Sequence, residues 1–280
     1  MVNRVLRFIL RLPRKGFSLA VRQVLGTVTH VSTRDSMVAL TFDDGPDPEY
    51  TPRLLEILRR HGAHATFFMI GEAARQCPEL VRRVAEAGHA IGNHGWDHPS
   101  FPFISRRERL AQIRDCAEAV KPYGAKLFRP PYGDQNLASR VDAFLLGYQV
   151  VMFSVATDDW CGGDAVSIAN QVERRIRAGS VVVLHDRLAD ALDESYFDRA
   201  EMIQAVEILL KRLGPRFRFV TVPELLRHGR AQKELWCKEV KPELLNQLQR
   251  PQGAARRYSR PPTRGWRAGL RNLLIETSPR

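Results

Sequence analysis

Between residues 37 and 230, short apolar runs rich in β-branched residues alternate with longer stretches whose apolar positions recur every three or four residues. The first pattern predicts buried strands, the second amphipathic helices. Strands are expected at Met37–Phe42, Ala65–Ile70, Ala90–Gly92, Leu127–Arg129, Gln149–Phe153, Val181–His185 and Phe217–Val220. Helices are expected at Thr51–His61, Glu72–Ala87, Ser105–Lys121, Asn136–Leu146, Val166–Ala178, Arg199–Leu213 and Pro223–His228. Gly62 and Gly88 follow two of these helices as stop signals, and Thr51-Pro52 places a proline in a first turn. Strands that alternate with helices imply an α/β fold with a parallel sheet and right-handed crossovers, open or closed into a barrel.

Composition narrows the class. With 44% hydrophobic and 26% charged residues in 280, the chain can bury a core and is not disordered as a whole. The formal net charge of +12 is unusual and points at first to a polyanionic partner. Its distribution changes that reading. Residues 1–36 hold seven basic and one acidic side chain, residues 231–280 eleven and four, and residues 37–230 the remaining 25 and 26. Three parts are therefore expected: a basic amphipathic N-terminal extension (1–36), a near-neutral α/β domain (37–230) and a basic, partly irregular C-terminal extension (231–280). A neutral core disfavours nucleic acid as partner.

Polar clusters follow the predicted strands, on the edge where α/β folds gather function. Asp43-Asp44 closes the first strand before a Gly-Pro turn. On extended backbone, adjacent carboxylates point apart, so one can ligate a metal while the other handles a proton; a solvated turn is the plain alternative. His94 and His98 lie four apart in a loop broken by Gly95 and Pro99. With Asp44 they form an N2O set that leaves positions open, as catalytic metal sites do, whereas alone they read as surface histidines. In Arg129-Pro130-Pro131-Tyr132-Gly133, two prolines stiffen the chain, leaving the Tyr132 N–H as a placed donor and Arg129 free to hold a carboxylate. Asp159-Trp160 and Leu184-His185-Asp186 add a carboxylate, an aromatic wall and a further histidine.

Taken in order, these five segments resemble the motifs of the NodB-homology polysaccharide deacetylases, carbohydrate esterase family 4, over residues 37 to 228. The resemblance implies a distorted (β/α) barrel of about seven strands and hydrolysis of N-acetyl, or O-acetyl, groups on a carbohydrate substrate. It implies a divalent metal, Zn2+ first and Co2+, Ni2+ or Mn2+ as alternatives, on Asp44, His94 and His98. Asp43 would be the general base, oriented by Arg129, and the Tyr132 N–H an oxyanion donor. His185 would be the general acid, tuned by Asp159, with Trp160, Leu184 and Pro131 lining the pocket. Three positions depart from the family pattern. Gly95 stands where many members carry a loop-tying Ser or Thr, Ala156 where many carry Asp, and Cys161 follows Trp160 directly.

Two other classes bear comparison. A 2-His-1-carboxylate iron oxygenase has the same ligand set but needs no oriented base or distal acid. A catalytically inactive glycan- or membrane-binding barrel would not need Asp43, Asp44, His94, His98 and His185 together. Arg4, Arg7, Arg11 and Arg14 recur at helical spacing, as do Trp266, Leu270, Leu273 and Leu274 near the other end. Basic amphipathic segments of this kind suit an anionic membrane surface, or equally helices packed on the barrel with their basic side in water. Arginine interrupts every apolar stretch at the N-terminus, and Cys77, Cys116, Cys161 and Cys237 show no CxxC pairing. The expected setting is cytoplasmic, peripheral at the inner membrane face; oligomeric state is not readable.

Overall fold

The computed structural model describes residues 21–248. Nine strands are defined there: β1 Thr27–Ser32, β2 Met37–Asp43, β3 Ala65–Met69, β4 Ala90–Asn93, β5 Gly124–Phe128, β6 Gln149–Val150, β7 Val181–His185, β8 Arg218–Phe219 and β9 Arg230–Glu234. Six of them pair in parallel in the order β6-β5-β4-β3-β2-β7, and β8 joins the start of β2. The sheet curls into a half-barrel, with helices between successive strands.

Side-chain alternation along β2 separates two cores. All seven residues of β2 are buried. Val38, Leu40 and Phe42 point into the main cluster, where they meet the apolar stripes of helices Tyr50–Arg60 (Leu54, Leu55, Leu58) and Ala200–Leu213 (Met202, Val206, Leu209, Leu213). Met37 and Ala39 belong to a second cluster with Val28, Val31, Phe68, Val151 and Val181 on the inner face. Further along that inner face come Thr41 and Asp43. One strand thus carries both the core and the first catalytic candidate.

Three features differ from the expected elements. β1 and β9 are additional. They pair antiparallel, Thr27 opposite Glu234 and Ser32 opposite Arg230, and Val28 and Val31 fill the inner cluster. β1 also bridges the two ends of the sheet, Val28 with Val151 just after β6 and His30 with Ser180 just before β7, so ordered structure extends beyond 37–230 on both sides. The helix expected over Glu72–Ala87 is two helices, Gly71–Gln76 and Pro78–Glu86, because Pro78 brings no N–H and opens the second helix at its first position. The strand expected over Gln149–Phe153 is ladder-paired only at Gln149–Val150. The amphipathic segments at 4–14 and 266–274 lie outside the described residues. No helix among the described residues is long and apolar enough to cross a membrane.

Candidate active site

The parallel register delivers the polar clusters to one edge. Asp43 pairs with His185 across β2 and β7 and with Phe68 across β2 and β3, so Asp43 and His185 end neighbouring strands on the inner face. His94 directly follows β4, and Arg129 directly follows β5.

Asp44, His94 and His98 bring one ligand atom each to within 4.8 Å of one another, and all three residues are buried. A single oxygen, Asp44 Oδ1, lies 3.2 Å from His94 Nε2 and 3.3 Å from His98 Nε2. The tautomers follow from the other ring nitrogens. His94 Nδ1 lies 2.7 Å from the Arg129 carbonyl, which only accepts, so Nδ1 carries the proton. His98 Nδ1 faces Asp190 Oδ2 at 3.4 Å, and the same reasoning applies. Both Nε2 atoms then turn lone pairs toward a carboxylate oxygen that is buried and has no hydrogen-bond partner. Three converging electron-pair donors with no proton between them fit a divalent cation. Without a cation, burial opposes the negative charge on Asp44, but protonated imidazoles at His98 and His94 outweigh it and hold the carboxyl below the usual range, so a cation and these two protons are alternative ways to balance the same buried charge.

The loop carrying the histidines is tied down without the hydroxyl that Gly95 lacks. Gln112, from helix Arg106–Ala119, accepts through Oε1 from the N–H groups of Trp96 (2.6 Å) and Asp97 (3.2 Å) and donates through Nε2 to Asp97 Oδ1 (2.5 Å). The N–H groups of Gly71 and Glu72 hold the carbonyls of Gly95 and Trp96, each at 2.9 Å. Gly95 has φ +81, so a side chain there would be strained as well as crowded against Gln112 Oε1.

Among the described residues Arg129 is the largest fully buried side chain, and each of its nitrogens is used. Nη1 donates to Asp43 Oδ1 and Thr41 Oγ1, both at 2.7 Å; Nε and Nη2 donate to the carbonyls of Val151 (3.1 Å) and Met152 (3.0 Å). The guanidinium also stacks 4.1 Å from the centre of the Phe68 ring. Burial pulls its pKa down while Asp43 pushes it up. With the guanidinium fixed at four acceptors, Asp43 has one orientation.

His185 faces Asp159 through Nδ1, 3.2 Å from each carboxylate oxygen, while its backbone N–H donates to Asp159 Oδ2 at 2.9 Å. Burial disfavours the imidazolium, but Asp159 overcomes that cost and raises the His185 pKa to about 9. The Asp159 carboxyl, pushed up by burial, is pulled down further by His185 and Arg199, leaving it below its ordinary value. Arg199, 3% exposed, donates to Asp159 Oδ2 (2.6 Å), the Asp159 carbonyl (2.7 Å) and the His185 carbonyl (3.1 Å).

Tyr132 sits in the short turn Pro131–Gly133. Its ring packs against His98 with centroids 4.3 Å apart, and its hydroxyl donates to Asp190 Oδ2 at 2.7 Å. Among the described residues, the non-glycine residues with positive φ are Asp44 (73°), His98 (62°) and Tyr132 (57°). Left-handed backbone at such residues is uncommon and costs of order 1–3 kcal/mol each. Here it falls on two of the three metal candidates and on the turn beside them.

Of the expected pocket residues, Trp160 is half-buried and Pro131 buried. Leu184 is a correction. It is fully buried in the main cluster with Phe42, on the helix side of β7, because alternation turns it away from the face that His185 occupies. Val183, two residues before His185, is the neighbour on the inner face. Sequence reasoning also missed Gln112, Asp190 and Arg199. None lies in a cluster after a strand: Gln112 and Arg199 belong to helical segments and Asp190 to a loop, and only proximity in space marks them.

Comparison with known proteins agrees with this geometry. The sequence model for polysaccharide deacetylase matches residues 30–151. A peptidoglycan-N-acetylglucosamine deacetylase of Bacillus cereus is 39% identical over 209 residues, covering 72% of this chain and 94% of its own length. A chitooligosaccharide deacetylase of Azorhizobium caulinodans is 36% identical over 167 residues, covering 58% of this chain and 80% of its own. The crystal structure of the Bc1960 peptidoglycan N-acetylglucosamine deacetylase superposes with a TM-score of 0.67 at 31% identity, covering 76% of this chain and 97% of that one. The chain belongs to the polysaccharide deacetylase family, carbohydrate esterase family 4.

Proposed function

We propose that the protein is a metal-dependent carbohydrate deacetylase that hydrolyses the N-acetyl amide of an N-acetylglucosamine-containing glycan. One observation carries the reading: an arginine-oriented carboxylate and a carboxylate-supported histidine end paired strands, Asp43 opposite His185, beside the Asp44–His94–His98 set. Amide hydrolysis needs a base on the water and an acid on the leaving amine, and these two groups fill both roles.

Asp44, His94 and His98 would hold a divalent cation, Zn2+ suiting the N2O set best, which would supply Lewis acidity toward the acetyl carbonyl and the attacking water. Asp43 takes the proton of the attacking water, its free oxygen aimed by the Arg129 bond. The Tyr132 N–H donates to the oxyanion that develops, a contact of the kind worth about 3 kcal/mol. His185, with Nδ1–H held by Asp159, presents Nε2–H to the leaving nitrogen. Trp160 and Val183 line the acetyl methyl. The neutral balance of residues 37–230 supports an uncharged sugar as substrate.

A panel of N-acetylglucosamine oligomers, peptidoglycan fragments and O-acetylated xylan, with products identified by mass spectrometry, tests the assignment. Free amino sugars from the first two, abolished by Asp43→Asn, are expected; oxygen consumption with iron, or no turnover of any glycan, refutes it. We further propose that the basic segments at the two ends hold the enzyme at an anionic inner leaflet. The truncated protein for that test must retain β1 and β9, so residues 21–248 are compared with the full chain in flotation with anionic liposomes. Equal flotation refutes the role of the ends.

A further inference from the structure

We propose that the chain just beyond β9, residues 235–240, is a strap that positions the Tyr132 turn for catalysis; the proposal rests on the deacetylase reading above. This segment lies far outside the matched stretch 30–151. Four contacts join it to the turn and to the two residues that follow it. Trp236 Nε1 donates to the Gly133 carbonyl at 3.0 Å. Gln135 and Lys238 exchange two backbone hydrogen bonds, at 2.9 and 3.1 Å. The Val240 N–H donates to Asp134 Oδ1 at 2.9 Å. Buried Arg140 donates to the Trp236 carbonyl, anchoring the strap itself.

The turn needs such support. Pro130 and Pro131 bring no N–H, and the N–H groups of Gly133 and Asp134 are spent inside the turn, on the carbonyls of Pro130 and Pro131. Tyr132 (φ 57°) and Gly133 (φ 68°) are successive left-handed residues, a conformation that surrounding contacts must over-determine. Asp134, fully buried, joins the strap to the metal loop: its Oδ1 takes the Val240 N–H, and its Oδ2 takes the hydroxyl of Ser100, two residues beyond His98, at 2.7 Å. The Trp236 ring meets Phe153 edge-on at 6.0 Å, and Phe153 in turn lies 5.8 Å from the Arg129 guanidinium. The strap therefore touches the surroundings of the oxyanion donor, a metal ligand and the base-orienting arginine. None of its residues reaches the reacting atoms, so Trp236 is a positioning residue.

Trp236→Phe keeps the contact with Phe153 and loses the bond to Gly133; Trp236→Ala loses both. Amide hydrogen exchange at 132–135 is expected to accelerate by about tenfold in Trp236→Ala and less in Trp236→Phe, with exchange in β7 unchanged. The kcat is expected to fall in the same order, by about tenfold or more in Trp236→Ala, with KM within about twofold of wild type. Exchange at 132–135 equal to wild type in both variants overturns the strap, as does a rise in KM with kcat unchanged. A wild-type chain that releases no acetate overturns the deacetylase reading instead, and the exchange comparison still decides the strap.

Discussion

Replacing Asp159 by asparagine should change the pH dependence of the reaction rather than merely its rate. Asp159, ahead of Asp44 and Asp43, raises His185 from an ordinary 6.5 to about 9 against the opposing effect of burial. That difference corresponds to about 3 kcal/mol of preference for the imidazolium. The asparagine side chain keeps an oxygen near Nδ1 but no charge, and with Asp43 paired to Arg129 and Asp44 engaged by a cation, burial then dominates and His185 falls back to its ordinary 6.5 or below. If the protonated imidazole is the acid, roughly nine-tenths of the wild-type enzyme is competent at pH 8, against a few hundredths of the variant. A rate loss of about 30-fold at pH 8 should shrink to less than twofold near pH 6. A bound cation acts on both proteins alike, so the displacement between their alkaline limbs survives. The assay is acetate release under saturating substrate, followed from about pH 5.5 to 9.5 to span both titrations. A variant slowed equally at every pH, with its alkaline limb in place, would refute the assignment of His185 as an acid tuned by Asp159.

Three further outcomes follow from individual contacts. Gln112→Ala frees the Trp96 and Asp97 amides between the two histidines and should weaken metal binding by about 10- to 100-fold, read by competition with a chromogenic chelator; wild-type affinity would remove Gln112 from the account. Arg129→Met leaves the Asp43 carboxylate buried and uncompensated, which should cost about 3–5 kcal/mol in urea denaturation, with part recovered in Arg129→Met/Asp43→Leu; a double variant no more stable than the single one contradicts this. Gly45→Ala places a methyl 2.5 Å from both carboxyl oxygens of buried Asp186 and should destabilise by about 1–3 kcal/mol, so an unchanged melting temperature counts against that packing.

The sheet and the candidate metal set are legible in the sequence because both are written locally. Parallel strands buried on both faces appear as continuous apolar runs, and β2, β3 and β7 match their expected positions to within a residue. Asp44, His94 and His98 are legible from ligand type and from position after strands. β9, with the sequence Arg-Ala-Gln-Lys-Glu, is not, since a polar edge strand carries no apolar signal and is defined only by its partner. β1 carries one, Thr27-Val28-Thr29-His30-Val31, but it lies inside a segment that charge alone groups with the N-terminal extension. Leu184 is misplaced by the sequence for a different reason. Adjacency to His185 along the chain suggests adjacency in space, whereas strand alternation puts consecutive residues on opposite faces. Arg199, Asp190 and Gln112 act on residues 14 to 92 positions away, and no local pattern encodes such pairs.

The measurement closest to the central claim compares wild type with Asp43→Asn for two quantities at once, metal affinity and acetate release from N-acetylglucosamine oligomers. Asp43 is bonded to Arg129 and is not one of the three metal candidates. The variant should therefore bind the metal as wild type does while releasing no acetate, and a chelator should abolish release by wild type. Acetate released by Asp43→Asn at the wild-type rate, or by wild type after chelation, would contradict the account.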